Sequence, residues 1–187
     1  MTLEATFREL SVQLKRAQDC MLALHLTVAE DKPAHGEAAM VEGMDDSITA
    51  GMGLLEECIA AARAARKAVE QGRLDRARRS LQQCQEEYHA AERKFADELV
   101  SYERLREIEK MAAKRGAEWI SWAGSVKYGL EQCRVPFSRA GRALATCWQE
   151  LAERSGTTSI VINSQNLGQK VNVSGPARED VVPSEAI

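Results

Sequence analysis

The chain has 187 residues, a net charge of −3 and five cysteines, with 44% hydrophobic and only 5% aromatic residues. That length suits one domain with a substantial core, and the wealth of Ala, Arg, Glu and Gln favours helix. The near-balanced charge supplies no global field for nucleic acid or anionic membrane, so such binding must come from a local patch, and no run approaches the about 18 apolar residues of a membrane span.

The first stretch, "MTLEATFREL", has neither the basic start nor the apolar run of a secretory leader, so a cytoplasmic location is expected. From there Leu3, Phe7, Leu10, Leu14, Ala17, Met21, Leu24 and Val28 alternate steps of four and three. Such steps keep one stripe on one side of a helix, with a repeat of about 3.5. In "EDKPAHGE", Pro33 biases Lys32 away from helical dihedrals and Gly36 lets the chain turn, so the first helix stops there.

A second stripe comes next in Val41, Met44, Ile48, Met52, Leu55, Ile59, Ala62, Ala65 and Val69. Gly43, Gly51 and Gly53 weaken its opening half, which leaves Asp46 or Ser47 as alternative N-caps. Gly72 suits the left-handed position that closes a helix, and Leu74, Ala77, Leu81, Cys84, Tyr88, Ala91 and Phe95 begin a third stripe. A tight helical hairpin is predicted. The phrase "AVEQGRLDRARRSL" resembles the turn inside a tetratricopeptide hairpin, but no copy recurs at about 34 residues and no repeat array is expected. The third stripe continues through Leu99, Tyr102, Leu105, Ile108 and Ala112 to Gly116, predicting one helix of about 40 residues and roughly 60 Å.

The fourth stripe runs through Trp119, Trp122, Val126, Leu130, Cys133, Phe137, Ala140, Leu144, Trp148 and Leu151. It stays in phase across Pro136, so a kink is expected there and not a new element. Gly124, Gly129 and Gly141 within it suggest close approach of a neighbour. Short turns between four stripes leave one architecture, an all-α antiparallel bundle of about four long helices spanning residues 1–155.

Catalytic motifs are missing from this pattern. In "EEYH", Glu86 and His89 share a helical face as in ferritin-like di-iron proteins, yet neither His25 nor His35 has a Glu three residues before it, so the second half-site is lacking. "SWAGS", around Trp122, resembles the WxG turn of small secreted helical hairpins, but here the apolar stripe continues on both sides. Cys20, Cys58, Cys84, Cys133 and Cys147 show no CxxC pair and no His at ligand spacing, so they are read as reduced core thiols. No phosphate loop, HExxH or nucleophile elbow occurs. No cofactor, metal or enzymatic role is expected.

Two interaction surfaces are legible. Arg63, Arg66, Lys67, Arg73, Arg76, Arg78 and Arg79 face only Glu70 and Asp75 in opposition, making the hairpin end a candidate anion or nucleic-acid site, without aromatic groups for stacking. In residues 156–175, Ile160 and Ile162 share one strand face, Val171 and Val173 share another, and "NSQNLGQ" between them is rich in turn formers. Two strands alone are marginal in water, so the pair is expected to be disordered, packed on the bundle or completed by strands from elsewhere, and its unpaired edges favour a sheet in a protein partner or a second copy of the chain. Residues 176–187, with two prolines and several charges, read as an extended terminus. The functional expectation is a non-catalytic interaction or scaffold protein that assembles through Ile160, Ile162, Val171 and Val173. The alternative is a helical nucleic-acid-binding subunit that uses the basic hairpin.

Overall fold

A computed structural model describes residues 2–29, 33 and 38–156. They form α1 (Leu3–Ala29), α2 (Ala38–Glu70), α3 (Leu74–Arg93), a π-helical stretch (Lys94–Leu99), α4 (Tyr102–Arg115) and α5 (Ala117–Arg154). Every regular element among the described residues is helical. The expected strand pair lies outside them.

The stripes become the seams of one core, with Met52, Leu74, Leu105 and Trp148 partly buried and Tyr102 turned out of it. Leu3, Phe7, Leu10, Leu14, Ala17, Met21, Leu24 and Val28 are all sealed from solvent on α1. They meet the seams of the other helices in one apolar cluster that reaches from Leu3 to Leu151. α1 packs on α2 and α5, and α2 on α3, while α4 packs on α5. The directions are set by polar contacts at the two ends. Thr6 Oγ1 donates to Glu150 Oε2 at 2.7 Å, whereas Trp122 Nε1 donates to the Thr27 carbonyl at 3.1 Å, so α1 and α5 run antiparallel.

The α2–α3 hairpin closes as the sequence predicts. Gly72 takes φ +68, its N–H bonds to the Val69 carbonyl at 2.9 Å, and the Arg73 N–H reaches the Ala68 carbonyl at 2.8 Å. This pair of bonds is the Schellman closure, and it satisfies two carbonyls that the helix end leaves open.

The third rod departs from expectation. Instead of one uninterrupted helix, α3 passes through the π-helical stretch and ends at Val100, and α4 begins afresh with Ser101 as N-cap. Ser101 adopts an extended conformation and its hydroxyl accepts from the Arg104 N–H at 3.3 Å. The reason is phase. Leu99 and Ile108 are nine residues apart, about two and a half α-helical turns, so a continuous helix would place them on opposite sides. The break keeps both buried and turns Tyr102 outward, 71% exposed.

Two further readings are corrected. α2 starts at Ala38, so neither Asp46 nor Ser47 caps it; the Ser47 hydroxyl instead bonds to Glu98 Oε2 at 2.6 Å. Among the helical glycines, a Cβ at Gly141 would stand 2.7 Å from the Tyr88 hydroxyl and one at Gly129 would stand 3.0 Å from Leu24 Cδ1, but one at Gly124 would meet nothing within 4 Å. α5 continues through Pro136, so no new element begins there.

Candidate partner-binding surfaces and the buried thiols

The basic hairpin does not form one surface. Arg63, Lys67, Arg73, Arg76 and Arg79 are exposed, while Arg66 and Arg78 are half-buried. Arg66 Nε lies 3.4 Å from Glu70 Oε1, and Arg78 Nη2 crosses to α5 and donates to Ser155 Oγ at 2.9 Å. On α3 Arg76 and Arg79 are a turn apart on one side, and Arg78 lies about 200° round from Arg76. The seven cations therefore do not share one face, and Arg78 is engaged in tying α3 to the end of α5.

Ile160, Ile162, Val171 and Val173 lie outside the described residues. The end of α5 that leads to them is well defined. Leu151 is buried, Ser155 N–H bonds back to the Leu151 carbonyl at 3.2 Å, and Gly156 at φ +65 closes α5. α5 thus ends beside the start of α3, where Arg78 holds Ser155.

A second cationic feature was not singled out in the sequence. An open cleft of about 730 Å³ lies between the start of α2 and α4, with Met40 and Met111 beside Arg104, Glu107, Lys110, Lys114 and Arg115. Arg104 is held by Glu107 at 3.4 Å and by the Glu98 carbonyl at 3.3 Å, and the Arg115 guanidinium stacks 5.6 Å from the Trp119 ring centre. The spacing of Arg104, Glu107, Met111 and Lys114 by three and four was visible, but a mixed-sign helix face reads as solvated surface.

The bundle interior holds neutral titratable groups. Burial, with the charge of Glu92, pushes the Tyr88 hydroxyl up, and that hydroxyl donates to the Phe137 carbonyl at 2.9 Å. Burial also pushes the Cys147 thiol up, and together with neighbouring Cys20 it raises Cys133 to about 12. The sequence reading of scattered cysteines missed a juxtaposition. Cys58 of α2 and Cys84 of α3 bring their sulfurs to 3.1 Å, and Cys58 Sγ also donates to the Cys84 carbonyl at 3.1 Å. The hydrogen bond to Cys84, then burial, raise the Cys58 thiol. No local pattern announces a pair that only the Gly72 hairpin brings together.

His89 does not meet Glu86; its Nδ1 lies 3.3 Å from Glu92 Oε2, a turn further on. Among the described residues no group of three His, Cys, Asp or Glu side chains is placed to hold a metal ion, and no helix is long and apolar enough to cross a membrane. Comparisons with protein-family models, curated proteins and solved structures give no match.

Proposed function

We propose that the protein is a non-catalytic helical interaction protein. In this reading the bundle is a rigid body, and Ile160, Ile162, Val171 and Val173 form the apolar faces of an arm for self-assembly or for a partner that offers a sheet edge. The observation that carries the reading is the closure of α5. A left-handed Gly156 and bonded Ser155 end the helix just past Leu151, the last buried core residue among those described, so the α5 seam stops before the arm begins. The interior supports it too. Tyr88, Cys58, Cys133 and Cys147 are all pushed towards their neutral forms by burial and their neighbours, which disfavours each as a base or a thiolate nucleophile.

The nucleic-acid alternative draws less support, because the hairpin cations divide between faces and Arg78 is committed to Ser155. Light scattering and affinity capture test the choice. Replacing Ile160, Ile162, Val171 and Val173 with Ser is expected to abolish assembly and capture while helix content is retained. Assembly that survives those replacements, or nucleic-acid binding that weakens steeply with salt, contradicts the reading.

A further inference from the structure

We propose that Cys58 and Cys84 are an oxidation site, a dithiol that peroxide converts to a disulfide joining α2 to α3. Two observations single out this pair, whose side chains are completely buried like those of Cys133 and Cys147. Their sulfurs are already 3.1 Å apart, and a disulfide needs about 2.05 Å, so closing the bond asks for a shift of about 1 Å, within the reach of small side-chain rotations. The two positions are 26 residues apart and face each other across the Gly72 hairpin, whose Schellman closure fixes the register of α2 against α3.

The chemistry balances with hydrogen peroxide as oxidant. One thiol gives up its proton, and the thiolate attacks a peroxide oxygen; the O–O bond breaks, hydroxide leaves and takes up that proton as water, and a sulfenic acid forms. The second sulfur attacks the sulfenyl sulfur, the S–S bond forms and a second water leaves. Two thiols and one peroxide thus give one disulfide and two waters, with two electrons passing from sulfur to oxygen. The hydrogen bond that Cys58 donates to Cys84, together with burial, keeps Cys58 protonated, so the reaction is slow at neutral pH and quickens as pH rises. Once formed, the bond closes a loop containing the whole hairpin and removes entropy from the unfolded chain. It would cross-link the middle of α2 to the middle of α3 under oxidising conditions.

The test treats the full chain with hydrogen peroxide, caps remaining thiols with an alkylating reagent and maps the digest by mass spectrometry. The expected product is a peptide linked between Cys58 and Cys84, lighter by two hydrogens than the separate pair. The oxidised protein should melt several degrees higher, and dithiothreitol should reverse the change. Cys58→Ala and Cys84→Ala must each abolish the link, and circular dichroism on both checks that the mapped protein is folded. Sulfenic or sulfinic acid without a link would overturn the proposal, as would a link from Cys84 to Cys147 or from Cys20 to Cys133 in its place, or no oxidation of either sulfur.

Discussion

The Tyr88 hydroxyl occupies the space that a side chain at Gly141 would fill. A Cβ there would stand 2.7 Å from the phenolic oxygen, which bonds to the Phe137 carbonyl at 2.9 Å and to Glu92 Oε1 at 3.1 Å. The missing side chain on α5 is what lets a tyrosine from α3 reach a backbone acceptor in the core. Gly141→Ala should therefore destabilise the bundle by about 1–3 kcal/mol through overpacking. Tyr88→Phe alone should cost about 1 kcal/mol through loss of the buried hydrogen bond to the Phe137 carbonyl. Because phenylalanine lacks the clashing oxygen, the double variant should be less destabilised than the sum of the two. Urea unfolding of all four proteins checks this, and strict additivity would refute the contact.

The hairpin closure gives a second expectation. Gly72 has φ +68 with nothing within 4 Å of a Cβ, so a substitution there meets only its own backbone. Gly72→Val should lower stability by roughly 1 kcal/mol or more, because a β-branched residue is strained in the left-handed region. An unchanged melting temperature would contradict the Schellman closure.

A third expectation concerns acid. The Ser47 hydroxyl, with Lys94 at 3.0 Å, holds the Glu98 carboxyl below the usual carboxylate range. A carboxyl with a depressed folded pKa stabilises the fold above its unfolded pKa, and that contribution disappears as pH falls through the folded value. Ser47→Ala should therefore weaken the protein at neutral pH, and the gap to wild type should narrow under acid conditions. Unfolding midpoints across that range test the sign. A gap that widens on acidification would be inconsistent with it.

What was legible in the sequence was the seam. On α1 every residue of the predicted stripe is buried, because a step pattern of four and three needs no knowledge of the partner. The break in the third rod was also encoded. Leu99, Tyr102, Leu105 and Ile108 advance by three each time, and such steps walk off the face of an α-helix. Reading them as one stripe hid the Ser101 cap. Other features had no local signal. Ser47 looked like an N-cap because its partner, Glu98, is 51 residues away. The approach of Cys58 to Cys84 depends on a register set by the turn at Gly72, and the split of Arg76 from Arg78 on which faces α2 and α5 cover.

The central claim is that the bundle folds by itself and that residues after Gly156 act apart from it. Circular dichroism on the chain truncated after Gly156, beside the full chain, tests it most directly. The account predicts the same number of helical residues per chain and a melting temperature within a few degrees of the full chain. Loss of the helical signal on truncation would make those residues a structural part of the bundle and contradict the account.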